Sequence, residues 1–431
     1  MKDILLEKVF EAERWEAAIN KGFFKGIDKG ELRQLCGPET RMRLAMAILE
    51  DNYEIAPPHQ ALIPKDNGEF RTVYVNENID RIFLSIVNDL LFELCPGMIH
   101  QSCKSYQKGI GCGKVVQEIS HKLKPNPYQN PNGILGFKAD LSKYFESVPI
   151  EFIDDAFDQV ERKIGKSKVI TVLRKYYHTD LCFDPDGNLI EHYQSLKQGC
   201  AVASFLADVM LFHIDFELYK YSFMNMASMY TRYSDDILYI GSGYEKAMGF
   251  LEKELQKMSM KLNPKKVEYL TGDKWFRFLG FMIKGSQITL SPNRVKQFQK
   301  EISKRSIGNL NYHVGGKIAL KSINRYLYKG DGTYSWATQV LPIINVEKDI
   351  DTLNEFVMDC IRACQTGKRN IGGLGTVTNR KDCTILRGTG KNVSANRKNT
   401  EKEIEGYYSI RCMQKALNIC RPVYDTIVRE M

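Results

Sequence analysis

Two apolar runs, Met229-Tyr230 and Ile237-Leu238-Tyr239-Ile240, flank the polar step Arg232-Tyr233-Ser234-Asp235-Asp236. Both runs are rich in β-branched and aromatic residues, which predicts two strands joined by a tight turn at Ser-Asp. A further apolar run from Ile134 to Ala139 ends in Asp140, and reads as a buried strand carrying an acid at its end. Ala61–Lys65 and Phe70–Val75 flank Asp66-Asn67-Gly68, a hairpin signal. Residues 267–270 and 275–283 read as two more strands. Helical spacing of Leu5, Leu6, Val9 and Phe10, and of Met42, Leu44, Ala45, Ile48 and Leu49, places helices within residues 3–50. Further helices are expected at 78–94, 115–122, 150–178 (two), 200–218, 244–260, 349–364 and 407–428, with another starting at Ser291-Pro292.

Composition adds bounds rather than an answer. A chain of 431 residues can hold two to four units with their own cores. The net charge of +9 is compatible with a polyanionic partner without demanding one. Eleven scattered cysteines with no Cys-x-x-Cys pair suggest reduced thiols and a cytoplasmic setting. No apolar run is long enough to span a membrane and no secretory signal is visible, so no membrane partner is expected.

The candidate chemistry lies in the acids. Two adjacent carboxylates at the tip of a buried hairpin are costly unless something pairs with them, and a divalent cation does so well. A solvated Asx turn is the plain alternative. Asp140 shifts the balance, because two-metal phosphoryl transfer needs several carboxylates converging from different strands around cations roughly 3.5–4 Å apart.

Five motifs then occur in order. They are Lys138-Ala139-Asp140-Leu141-Ser142-Lys143-Tyr144-Phe145, Gln198-Gly199 before a small-residue helix, Tyr233-Ser234-Asp235-Asp236, Leu262-Asn263-Pro264-Lys265-Lys266, and Phe278-Leu279-Gly280-Phe281. Together, from about Ile63 to Phe281, they resemble the reverse transcriptases. The resemblance implies an α+β right-hand polymerase with an antiparallel palm sheet. It places N-terminal helices and fingers in 1–132, palm in 133–285 with a fingers insertion at about 150–195, thumb in 286–345 and a basic helical C-terminal extension in 346–431.

The resemblance also implies roles. Asp140, Asp235, Asp236 and Leu141 would hold two Mg²⁺ ions, with Mn²⁺ as a substitute. Lys266, with Lys265 adjacent, would serve as a general acid or charge clamp near the leaving pyrophosphate. Lys65, Arg71, Phe145, Gln198 and Gly199 would bind the incoming nucleotide, Phe145 closing over its sugar and favouring dNTPs over rNTPs. Core packing remains the plain alternative for Phe145, and a solvated hairpin for Lys65 and Arg71. Tyr233, Phe278, Leu279, Gly280, Lys296, Lys300 and Lys304 would line the primer–template path. Two departures from the family pattern stand out: Lys197 where proline is common, and Ala203 where serine is. The Gly-rich stretch Ser102–Lys114 fails the spacing of a P-loop and fits better as a loop against a nucleic-acid backbone.

Residues 367–400 carry eight Lys/Arg against the single Asp382, with six glycines, which suggests a basic loop or an RNA-gripping arm. A compact polymerase with such an extension resembles the bacterial defence-associated reverse transcriptases of the abortive-infection and "unknown group" lineages. That implies antiphage activity with an RNA template and a DNA product, often with a dedicated noncoding RNA as the template or with a companion defence protein or second reverse transcriptase. Self-association is left open. So are a group II intron or retron enzyme, an RNA-dependent RNA polymerase, and a non-catalytic RNA-binding scaffold.

Overall fold

The computed structural model describes residues 2–20, 24, 26–65, 69–123, 133–223, 228–306, 315–330, 335–366 and 406–431. The turn Asp66–Gly68 and the basic stretch 367–400 lie outside the described residues. The strands are β1 His59–Pro64, β2 Phe70–Val75, β3 Ile134–Asp140, β4 Leu181–Phe183, β5 Leu189–Glu191, β6 Met229–Tyr233, β7 Asp236–Ile240, β8 Glu268–Thr271, β9 Phe276–Phe278, β10 Phe281–Lys284 and β11 Gln287–Leu290. The chain divides into two compact units, one of residues Met1–Lys108 and Tyr128–Leu270, the other of Gly109–Pro127 and Thr271–Met431.

The first unit is built on a sheet of order β6-β7-β3-β8. Strand β7 pairs antiparallel with both β6 and β3. Burial on both faces explains why Ile237, Leu238, Tyr239 and Ile240 are all buried instead of alternating. Gly136 is required at its place in β3, because a Cβ there would meet the Tyr239 carbonyl oxygen at 2.0 Å. Lys138 and Glu268 tie β3 to β8 through a 2.7 Å ion pair.

Helices surround this sheet. Asn78–Leu94 is buried along most of its length and receives the N-terminal helices Ile4–Val9 and Ala12–Ile19. The expected long helix over 200–218 is two helices, Ala203–Val209 and Phe212–Phe223. The break frees the carbonyls of Ala207 and Asp208 from the helical ladder, and the buried side chains of Tyr144 and Arg232 bind them. A second sheet, of order β2-β1-β4-β5, joins the hairpin β1–β2 to the hairpin β4–β5.

In the second unit, β11-β10-β9 form a small antiparallel sheet. The expected single strand over 275–283 is a hairpin, because Leu279 and Gly280 adopt φ of +48° and +80° and turn the chain. Helix Cys112–Lys122 packs on this sheet, although the sequence places it within the expected fingers. Helix Pro292–Ser306 buries Val295, Phe298 and Ile302 and leaves Lys296, Lys300 and Lys304 exposed. Helices Gly315–Asn324, Glu347–Thr366 and Ile410–Ile419 pack on one another, and Arg421–Glu430 closes the unit with Tyr424 Oη donating to the Tyr328 carbonyl at 2.9 Å. No helix among the described residues is long and apolar enough to cross a membrane.

Candidate active site

Three strand ends bring the acids together. In the β3–β7 register, Asp140 stands directly opposite Asp236, and Tyr233 opposite Asp236 closes the β6–β7 turn. Like charges directly opposite one another repel, and half-burial removes the water that would screen them. Burial first, then the neighbouring carboxylates Asp235 and Asp140, push the Asp236 carboxyl up to about 7. Burial and Asp140 raise the Asp235 carboxyl as well, against the pull of Lys266 and Arg71. Such raised acids mark a site poised to receive positive charge.

One cation is already there. Lys266 Nζ lies 2.6 Å from Asp140 Oδ2. The loop that carries it is sewn to the end of β3: Ser142 N–H donates to the Lys261 carbonyl at 2.9 Å, and Asn263 N–H to the Asp140 carbonyl at 2.8 Å. Lys266 N–H then donates to the Asn263 carbonyl at 2.9 Å, which turns the side chain back toward the acids. It is Lys266, not its neighbour Lys265, that reaches Asp140. Among the described residues, no three acidic, histidine or cysteine side chains already close around a common point. With its carboxylate paired to Lys266, Asp140 would have to exchange that ammonium for a metal ion.

Among the residues expected to bind the nucleotide, Phe145 is half-buried, edge-on to Tyr144 with ring centroids 5.6 Å apart. Its carbonyl accepts from Leu196 N–H at 3.2 Å, which fixes it beside the loop bearing Gln198 and Gly199. That loop is strained: Ser195 and Lys197 adopt φ of +49° and +50°. Gly199 has φ +111°, and a Cβ there would meet the Tyr74 carbonyl oxygen at 2.8 Å. Tyr74 N–H donates to the Gln198 carbonyl at 2.7 Å, which ties strand β2 to the loop. Lys197 is 1% exposed, and its ammonium donates to the Thr179 carbonyl and to Gln194 Oε1 while lying 4.9 Å from the centre of the Tyr176 ring. Burial pushes its pKa down to about 8.

The family model described as reverse transcriptase (RNA-dependent DNA polymerase) matches residues 63–283. The chain belongs to the reverse transcriptase family. The family is described as that of RNA-dependent DNA polymerases, and the chain has the α+β polymerase fold. Among curated proteins, no sequence matches it. Solved structures similar to this reverse transcriptase include apo telomerase from Candida tropicalis, at 15% identity and TM-score 0.43, covering 73% of this chain and 58% of that one. Telomerase from Candida tropicalis with a TWJ fragment of telomeric RNA is similar at 14% identity and TM-score 0.43, covering 76% and 65%. The Candida albicans telomerase with such a fragment is similar at 12% identity and TM-score 0.42, covering 74% and 60%. The chain thus spans less than two thirds of the length of each of these proteins.

Lys65, at the end of β1, is exposed and 3.8 Å from Glu69, whereas Arg71 on β2 lies within the field of Asp235. Phe278 is only 3% exposed, whereas Leu279 and Gly280 beside it are half-exposed.

Sequence reasoning missed the layer beneath the hairpin. Ser102–Ser105 is no open loop: Lys104 N–H donates to the Arg232 carbonyl, Arg232 N–H to the Ser102 carbonyl, and Ser105 is fully buried. Arg232, Asp208 and Asp215 are buried with it. The available signal was Asp208 and Asp215 set within the largely apolar stretch 200–218, because a buried acid demands a partner.

Proposed function

We propose that this reverse transcriptase copies an RNA template into DNA from dNTPs, with two Mg²⁺ ions at Asp140, Asp235, Asp236 and the carbonyl oxygen of Leu141. One observation carries the reading: the antiparallel register of β3 and β7 sets Asp140 directly against Asp236, with Asp235 next to it in the turn. An all-oxygen, carboxylate-rich donor set suits Mg²⁺ or Mn²⁺. When bound, the ions supply activation of the attacking 3′-oxygen and stabilisation of the leaving one.

The chain's own groups do the rest in this reading. Asp235 and Asp236 would hold the metal through their carboxylates, and Lys266 would serve the departing pyrophosphate as proton donor or charge clamp. Arg71 neutralises the triphosphate, the loop Ser195–Gly199 seats the base pair, and Phe145 excludes a 2′-hydroxyl. Lys296, Lys300 and Lys304 line one exposed helix face and suit a duplex backbone.

The biological setting we favour is bacterial antiphage defence directed by a dedicated RNA. Its support is the resemblance of the motif set and the presence of helices beyond the thumb region. The test is to express the protein in a bacterial host, sequence the RNA and DNA that copurify, and challenge the cells with phage. One enriched RNA, complementary DNA, and protection lost in Asp235→Ala/Asp236→Ala support the reading. Unprotected cells with an enriched intron or retron RNA would move the enzyme to that class.

A further inference from the structure

Behind the acidic hairpin lies a closed polar network that none of the roles above uses. Its centre is Ser234, the first residue of the turn, held at φ +57°. A non-glycine residue there is uncommon and strained, so the surroundings must enforce it. They do so on both sides of the residue. Ser234 N–H donates to Ser105 Oγ at 2.9 Å, and Arg232 Nη1 donates to the Ser234 carbonyl at 3.0 Å.

Each clamp is itself fixed. Ser105 Oγ donates to Asp208 Oδ1 at 2.5 Å. Arg232 grips Asp215 bidentately, Nε to Oδ1 at 2.8 Å and Nη2 to Oδ2 at 2.6 Å, and Tyr230 Oη donates to the same Oδ1 at 2.7 Å. Ser105, Asp208, Asp215 and Arg232 are all at 0% exposure. A buried pair of this kind adds little net stability over an apolar replacement.

We propose that Ser105 and Arg232, backed by Asp208 and Asp215, are positioning residues that set the Ser234 backbone so that the next two carboxylates, Asp235 and Asp236, face Asp140 and a divalent cation. The inference rests on the reading of those acids as metal ligands. Ser105 and Arg232 touch neither substrate nor metal, and act only through Ser234. Outer residues that orient ligands commonly matter by about 10–100-fold in metal affinity.

The experiment measures Mn²⁺ binding to the purified full chain by electron paramagnetic resonance, beside primer extension across a Mn²⁺ titration. Ser105→Ala should weaken Mn²⁺ binding about tenfold. It should also lower kcat at low Mn²⁺, leave the KM for dNTP unchanged, and recover rate as Mn²⁺ rises. Ser105→Thr, which keeps the hydroxyl, should rescue binding. Arg232→Lys keeps the charge opposite Asp215 but cannot fork to the Ser234 carbonyl, and should weaken binding in the same way. A purely structural role would lower the melting temperature and the active fraction without moving the Mn²⁺ midpoint. Folded Ser105→Ala or Arg232→Lys protein with wild-type Mn²⁺ affinity overturns the inference. Should neither variant fold, Asp208→Asn, which keeps the side-chain volume, replaces them under the same criterion. Wild-type protein that binds no Mn²⁺ overturns the metal reading itself, and with it this inference.

Discussion

Lys266 and Asp140 form a 2.6 Å ion pair between a loop and a strand end, with the lysine side chain 57% exposed and the aspartate 9%. The ammonium holds the place beside Asp140 that a metal ion would need. Removing it should therefore have two opposite effects. Lys266→Ala should tighten Mn²⁺ binding, because a competing cation is gone. It should also lower kcat by about 10²-fold, as expected for a lost general acid. Calorimetric Mn²⁺ titration and single-turnover extension check the pair. Weaker Mn²⁺ binding would show that Lys266 does not compete for Asp140.

A second prediction concerns pH. The Asp236 carboxyl stands at about 7 in the fold, against 3.8 for the unperturbed group. Its proton therefore leaves the unfolded chain first as pH rises. The stability linked to it is complete below about 4 and is lost by the time pH passes about 7. Asp236→Asn removes this loss. Without metal, the variant should melt roughly 2–6 °C above wild type at pH 8. That gap should narrow toward pH 5, and activity should be abolished throughout. A gap that widens toward pH 5 would reverse the sign of the argument. Differential scanning calorimetry measures it.

Gly199 gives a third. Its φ of +111° and the 2.8 Å approach of the Tyr74 carbonyl leave no room for a methyl group. Gly199→Ala should cost about 1–3 kcal/mol of stability. Because the same loop carries Gln198, the KM for dNTP should rise more than kcat falls. Denaturant unfolding and steady-state kinetics separate the two effects.

How far the sequence reached can be judged residue by residue. The hairpin at Ser234-Asp235 and the strand ending at Asp140 were legible because short β-branched and aromatic runs bounded by acids leave a local signature. The pairing of Lys266 with Asp140 was not, since it depends on Ser142 and Asn263 bonding across more than a hundred residues of chain. Breaks were also hidden. Residues 200–218 keep a helical apolar pattern through the turn at Met210-Leu211, where Arg232 and Tyr144 replace the ladder. Likewise the strand expected over 275–283 reverses at Leu279-Gly280, although a lone Gly after Leu gives only a weak turn signal. The Ser105–Asp208 and Arg232–Asp215 contacts join segments remote in sequence, and only the fold brings them together.

Phe145 supplies a fourth prediction. If its half-buried ring closes over the sugar, Phe145→Ala should admit ribonucleotides, raising rNTP over dNTP kcat/KM by one to two orders of magnitude, about 1.4–3 kcal/mol of lost discrimination. Single-nucleotide incorporation on an RNA template measures it. Unchanged discrimination with a lowered melting temperature would assign Phe145 to the core alone.

The account stands most directly on the three acids. The decisive measurement is extension of a DNA primer on an RNA template by purified protein with Mg²⁺ and dNTPs, for wild type, Asp140→Asn, Asp235→Asn and Asp236→Asn. The account predicts DNA synthesis by wild type and its loss in each folded variant. Synthesis that survives in Asp235→Asn or Asp236→Asn would contradict it.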